Sequence, residues 1–381
     1  MNILFLHTVA IDPSKGGIEK VTRVLADALI SRRHAVFFLS MMDVFRESCD
    51  NSRQSFFPCK KIYSKENEIF TKRFLKENNI NVCIFQAGDD KKVPFPHIFH
   101  ELGVRLIVAV HTDPEFFRAL VRGKFETKYG LLASKICSPI IAAKVFLRKI
   151  RQKRLYRKNA ADAEKVVLLS EKFLPVFSKY LRNKDKEKIC AIPNPRERTT
   201  KSVSLTKENE ILYVGRMNLG EKRVDLLLKI WAKIQNEFPA WHLTLVGGGS
   251  DEEKIRKLSN DLKLARISFE GFQKPEKYYA RASVFCLTSS FEGFGLVLVE
   301  ASAFGCVPVA FNSYLSAEDI IKTGENGFLV HPFNTEHYAD ILRQLLRNKR
   351  LTEKISAAAR INSARFSLEK ILPMWEKILE K

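Results

Sequence analysis

Short, almost wholly apolar runs alternate with amphipathic segments of helical period through most of this chain, and few folds accept that pattern. In the first half the strand-like runs are Ile3–Leu6, Ala35–Leu39, Val82–Gln86, Arg105–Val110 and Lys165–Leu169, with helices at Ile18–Ser31 and Ile98–Leu102. In the second half strands at Glu210–Val214, Trp241–Val246, Ile267–Glu270 and Val284–Leu287 alternate with helices at Val224–Glu237 and Glu252–Leu262. Strands that lack a polar face are covered on both sides, which calls for parallel sheets layered with helices, an α/β fold. A length of 381 residues exceeds one ordinary core and suits two such domains. The boundary falls at Pro193-Asn-Pro195 and the polar stretch Glu197–Asn209, giving domains over 1–198 and 199–366. Ligands bind such sheets beyond the C-terminal strand ends, so two domains facing one another make an interdomain cleft. The final segment, 367–381, carries Ile371, Leu372, Trp375, Ile378 and Leu379 on one helical face and needs a surface to cover.

Hydrophobic content of 45% supports packed cores and argues against disorder. Cysteines stand at 49, 59, 83, 137, 190, 286 and 306, odd in number and unclustered. Reduced thiols and no structural zinc are the expectation, which points to the cytoplasm. The N-terminus has no basic leader, and its apolar run reads as a buried first strand. Net charge is +21, and the first 200 residues hold 17 of that surplus. Thirteen basic residues and one acid, Glu126, lie within Arg118–Lys158.

Chemistry concentrates at Phe291-Glu-Gly-Phe-Gly-Leu-Val-Leu-Val-Glu300. Gly293 and Gly295 let the backbone approach a ligand, and the amides that open the following helix favour an anion. Carboxylates beside an anion site make sense if the anion is a sugar-nucleotide diphosphate, because Glu292 and Glu300 can accept from sugar and ribose hydroxyls. Acids near a helix start also stabilise its dipole without any ligand. After another strand comes Val214-Gly-Arg216, then Lys222, an Arg fork and a Lys point charge suited to a diphosphate leaving group. Gly16-Gly17 follows the first strand and precedes a helix containing Glu19. It could offer donors to phosphate, although a lone diglycine more simply describes a turn. Val246-Gly-Gly-Gly249 lacks the third glycine of a dinucleotide fingerprint, with Glu252 in its place. His111 ends the strand Arg105–Val110, where a parallel sheet presents ligands, yet a lone histidine is often structural.

The glutamate–seven residues–glutamate spacing of Glu292 and Glu300, followed by Ala301-Ser-Ala-Phe-Gly-Cys-Val-Pro-Val309, resembles the retaining glycosyltransferases of family 4. The likeness is dense over about residues 208–345 and thin before. It implies the GT-B fold, two Rossmann-like domains with the C-terminal helix crossing back to the first. It also implies hexosyl transfer from a UDP- or GDP-linked sugar with retention and without a metal or other cofactor. Carried onto this chain, it gives Glu292, Arg216, Lys222 and His111 catalytic places. Substrate would meet Gly16, Gly17, Gly247, Gly248, Gly271, Phe272, Gly293, Phe294, Gly295, Leu296 and Glu300. Arg223 is a weaker diphosphate candidate than Lys222, and Glu101 and Asp113 could serve the acceptor. One departure stands out: Asn312-Ser-Tyr-Leu-Ser-Ala-Glu-Asp-Ile-Ile321 occupies the place where many relatives carry Gly-Gly.

Two rival readings come from other classes. A sugar-nucleotide epimerase on the same architecture would need no acceptor. A nucleic-acid binder would use the charge directly, but the basic segment has no aromatic-basic recognition pattern. Within Arg118–Lys158, Ala143, Phe146, Leu147 and Ile150 form an apolar stripe, with Lys144, Arg148 and Arg151 on another face. That pattern fits an interfacial helix on an anionic membrane that presents a glycan or lipid-linked acceptor. A helix packed on the sheet with a solvated basic face fits it too. The expected location is therefore cytoplasmic, peripheral to the inner membrane.

Overall fold

The computed structural model describes residues 1–14, 16–42, 54–87, 91–121, 123, 125, 137–197 and 207–380. Cys49, most of the Glu197–Asn209 boundary, and Arg122, Lys124, Glu126, Lys128 and Lys135 lie outside the described residues. The chain divides into two compact units. The first comprises Met1–Pro114, Leu147–Glu197 and Ser367–Lys381, and the second Glu115–Phe146 and Arg198–Phe366. Glu115–Phe146, which the sequence reading kept with the N-terminal domain, thus goes with the second unit.

Among the described residues the first unit holds seven strands: β1 (Asn2–His7), β2 (Ala35–Ser40), β3 (Gln54–Phe56), β4 (Val82–Ala87), β5 (Arg105–Val110), β6 (Lys165–Leu168) and β7 (Ile189–Ala191). They pair in the order β3-β2-β1-β4-β5-β6-β7, every pair parallel. The second unit holds β8 (Glu208–Val214), β9 (His242–Val246), β10 (Ile267–Phe269), β11 (Ala282–Leu287), β12 (Val307–Phe311) and β13 (Phe328–Val330). Their order is β10-β9-β8-β11-β12-β13, again all parallel. Central strands are buried throughout, as in β12, which explains their lack of polar alternation. The strand order reverses between β1 and β4 in one sheet and between β8 and β11 in the other. Those switch points are where open α/β sheets leave a crevice at the C-terminal strand ends.

The edge strands β3 and β7 are three residues each and carry no apolar run long enough to read from sequence. Three helix starts carry side-chain caps. Ser64 accepts from Asn67 N at the head of Lys65–Glu77, Asn334 from His337 N, and Asn348 from Leu351 N, each contact contributing about 1 kcal/mol.

The terminal helix Leu368–Leu379 packs on the first unit. Ile371, Leu372, Trp375 and Leu379 join the core formed by Ile3, Phe5, Leu25 and Val36, with Ile378 partly buried against it. Burial of each such side chain contributes on the order of 2 kcal/mol. Arg105 secures the helix end, donating to the carbonyl oxygens of Ile378 at 2.8 Å and Leu379 at 2.5 Å. Glu164 holds that guanidinium through two hydrogen bonds.

The 25-residue helix Ser138–Asp162 changes character along its length. Gln152, Leu155, Tyr156, Asn159 and Ala160 are buried, whereas Ile140, Phe146 and Leu147 are 54%, 62% and 66% exposed. The apolar stripe around Phe146 therefore does not pack on a sheet. No helix among the described residues is long and apolar enough to cross a membrane.

Candidate active site

The two loops that flank the second switch point meet. β8 ends at Val214, and Gly215–Arg223 leads into the helix Val224–Ile234. β11 ends at Leu287, and Thr288–Gly295 leads into the helix Leu296–Ala303. Ser290 N donates to Glu221 O at 2.7 Å, and Ser290 Oγ donates to the carbonyl oxygens of Gly220 and Glu221 at 3.0 Å. Thr288 Oγ1 donates to Arg223 O at 3.0 Å. Asn218 shapes the first loop by accepting from the Gly220 and Glu221 amides, and Asp251 does so by accepting from Leu219 N. These bonds leave the loop backbone few alternatives.

The side chains so placed form a charged chain. Arg216 donates to Glu221 at 2.9 and 3.2 Å. Lys222 Nζ lies 3.3 Å from Glu221 and donates to both Glu292 oxygens at 2.7 and 2.8 Å. Ser289 Oγ donates to Glu292 Oε1 at 2.6 Å. Lys222 and Glu292 are only 12% and 11% exposed, whereas Arg216 is 69% exposed. Burial alone would push the Lys222 ammonium down, but the Glu292 and Glu221 carboxylates outweigh it and its pKa ends above the ordinary lysine value. Lys222 therefore stays charged. Arg223 is engaged elsewhere, forked onto Asp225 at 3.1 and 3.2 Å.

Gly295 sits at φ +90° and opens the helix Leu296–Ala303, a backbone that favours glycine. Within that helix Glu300 accepts from the Tyr279 hydroxyl at 3.3 Å. Burial and then the Glu300 charge push the Tyr279 phenol well up, so it stays a donor.

The Val246-Gly-Gly-Gly249 loop has a structural reason for its glycines. Gly247 takes φ +128°, and a Cβ there would stand 2.0 Å from Gly215 O. A Cβ on Gly249 would meet Met217 O at 2.5 Å. Met217 N donates to Gly248 O, and Gly247 N donates to Gly271 O. Gly247 and Gly249 thus let the loop lie against the Gly215–Met217 backbone. Phe272, next to Gly271, is 73% exposed.

In the first unit His111 is buried, and its Nε2 donates to Gln86 Oε1. Its Nδ1 has no hydrogen-bond partner among the described residues. Burial, with His7 adding to it, pushes the imidazole down to about 3, so the ring is neutral. His7 Nε2 lies 3.8 Å from Glu19, and Gly16 caps the helix Gly17–Ser31 in an extended conformation. A Cβ on Gly17 would meet nothing within 4 Å. Glu101 instead pairs with Lys72 at 2.5 Å on an exposed surface before β5. Sequence reasoning did not name Ser289, His7 or Gln86 for the site. His7 ends β1 much as His111 follows β5, the one signal that would have found it.

Residues 195–362 match the family model described as glycosyl transferases group 1. The chain carries a glycosyltransferase group 1 domain. A glycosyltransferase of unassigned role from Haemophilus influenzae is 32% identical over 219 residues, 57% of this chain and 61% of that protein. The alignment thus spans about three fifths of that relative's length. The amylovoran biosynthesis glycosyltransferase AmsD of Erwinia amylovora is 28% identical over 287 residues, 71% of this chain and 79% of that protein. Among solved structures, Anabaena HepE in complex with UDP-glucose superposes with a TM-score of 0.74 at 18% identity, covering 100% of this chain and 99% of that one. That likeness shows a shared GT-B fold. The group 1 domain contains Arg216, Lys222, Glu292 and Glu300, the residues of the network and of its neighbouring helix.

Proposed function

We propose that this protein is a retaining hexosyltransferase that moves a sugar from a UDP- or GDP-linked donor to a glycan or lipid-linked acceptor in surface polysaccharide or lipopolysaccharide synthesis. The observation that carries the reading is the Arg216–Glu221–Lys222–Glu292–Ser289 chain at the switch point, beside a helix that opens on Gly295. Two cations and a helix N-terminus gather there, suited to a diphosphate, while Glu292 offers acceptor oxygens to sugar hydroxyls. Glu300 would take the ribose. The glycosyltransferase relatives, AmsD in particular, support the polysaccharide setting.

Arrival of the diphosphate competes with Glu292 for Lys222. As the glycosidic bond breaks, negative charge grows on the leaving phosphate, and Arg216, Lys222 and the amides near Gly295 stabilise it without a metal. The acceptor attacks from the face the diphosphate leaves, and a leaving phosphate oxygen takes its proton. His111, neutral, is assigned to the sugar through Nδ1. The resemblance assigns Gly16-Gly17 to phosphate, and Gly248, Gly271 and Phe272 to the nucleoside.

The first unit is assigned the acceptor. The exposed stripe Ile140, Phe146 and Leu147 among Lys144, Arg148, Lys149 and Arg151 is assigned to an anionic membrane surface at the cytoplasmic face. The test of the whole reading is native mass spectrometry with UDP-glucose, UDP-galactose, UDP-N-acetylglucosamine and GDP-mannose. At least one should bind wild type and bind Glu300→Ala more weakly. Binding of none, or binding indifferent to Glu300, refutes it. Release of an altered free sugar nucleotide without acceptor would favour the epimerase.

A further inference from the structure

The segment after β12 underlies the Glu292 turn. Ser313 Oγ donates to Ser289 O at 2.6 Å, and Ser316 Oγ donates to Phe294 O at 3.2 Å and Gly293 O at 3.4 Å. Tyr314 sits between these two supports, 5% exposed. Its hydroxyl is buried and has no hydrogen-bond partner among the described residues. A Cβ on Gly295 would stand 3.1 Å from that oxygen, so the hydroxyl lies beneath the residue that opens the helix Leu296–Ala303. Glu292 is the charged group whose field reaches it. Tyr213, Tyr278, Tyr279 and Tyr338, all buried in the same unit, each reach an acceptor. A buried hydroxyl left unpaired destabilises a fold, and phenylalanine would fill the same space without that cost.

We propose that Tyr314 is a positioning residue for the donor sugar, its hydroxyl donating to the Glu292 carboxylate once the donor draws Lys222 away. This rests on the reading of Glu292 as the sugar-binding acid. In the structure Lys222 and Ser289 hold the Glu292 oxygens. A diphosphate competing for Lys222 frees carboxylate lone pairs, which must be oriented if they are to meet sugar hydroxyls. Tyr314 is a nearby donor with nothing else to bond, and the Ser313 and Ser316 contacts fix the turn above it. The unpaired hydroxyl of the free protein becomes a paired one in the complex, because the sugar hydroxyls, which a free nucleotide lacks, hold the released carboxylate in the orientation that reaches it.

The experiment compares Tyr314→Phe with wild type by calorimetric titration of UDP and GDP, and of the sugar nucleotide that binds best among UDP-glucose, UDP-galactose, UDP-N-acetylglucosamine and GDP-mannose. The variant should bind that sugar nucleotide about tenfold more weakly, bind the free nucleotide within roughly twofold of wild type, and melt no lower. In a Glu292→Gln background the same substitution should add no further loss. Unchanged sugar-nucleotide binding, equal weakening towards the free nucleotide, a lower melting temperature or an undiminished loss beside Glu292→Gln each overturns the proposal. If wild type prefers no sugar nucleotide over free nucleotide, or Glu292→Gln binds it as wild type does, the underlying reading of Glu292 fails instead.

Discussion

Lys222→Met is the substitution whose outcome the geometry constrains most. Its place in the site calls for loss of turnover, and the structure adds a stability cost. Lys222 Nζ stands 2.7 Å from a Glu292 oxygen with both side chains nearly buried. At an effective dielectric of 20, that separation corresponds to about 6 kcal/mol of attraction, largely offset by the cost of desolvating both ions. Removing the lysine leaves that desolvation on Glu292 with only neutral hydroxyls, Ser289 and on the present proposal Tyr314, and water to offset it, a net destabilisation of about 3 kcal/mol. Glu292→Gln should cost less, because Glu221, 3.3 Å from Lys222 Nζ, still pairs with the ammonium. The double variant leaves no unpaired charge, so it should lie at least about 2 kcal/mol above the sum of the singles. Turnover behaves differently. Each single and the double should fall roughly 100-fold or more, since Lys222 is lost from the leaving phosphate or Glu292 from the sugar hydroxyls, each worth about 3 kcal/mol in the barrier. Urea unfolding of the four proteins, with turnover on the donor identified by mass spectrometry, reads both quantities. Additive stability losses within about 0.5 kcal/mol would refute the coupled pair. Wild-type turnover in either single variant would refute the catalytic assignment.

Other outcomes follow from particular contacts. Gly247→Ala should cost several kcal/mol, because a Cβ at φ +128° would overlap Gly215 O; a melting temperature equal to wild type would contradict this. Gly17→Ala meets open space and should leave stability unchanged or raise it by up to about 1 kcal/mol, so loss of donor binding there would report backbone contact with the ligand. His111 is neutral when folded, with a pKa of about 3, whereas the unfolded chain takes up the proton near 6.5. Its contribution to stability is therefore complete above about pH 6.5 and shrinks as pH falls towards 3, and His111→Gln should flatten unfolding free energy against pH by close to one proton. Finally, wild type should sediment with anionic liposomes at low salt and detach as salt rises, while Lys149/Arg151/Lys153/Arg154→Gln should not sediment. Equal partitioning of both proteins onto anionic and neutral lipid would remove the membrane assignment.

Much of the architecture was legible in sequence because its causes are local. Wholly apolar runs such as Val284–Leu287 can be buried only in a sheet covered on both faces. The spacing from Glu292 to Glu300 and the order strand, Gly-Arg, Lys were legible for the same reason, since a turn and the helix after it are set by neighbouring residues. Tertiary structure decided what no local pattern encodes. It joined Lys222 to Glu292 across 70 residues, buried His111 against Gln86, gave Gly247 a packing role against Gly215, and left the Phe146 stripe exposed. It also placed the Tyr314 hydroxyl under Gly295 without an acceptor. Each outcome depends on which strand ends lie side by side in the sheet, and that order follows from how distant segments bury one another.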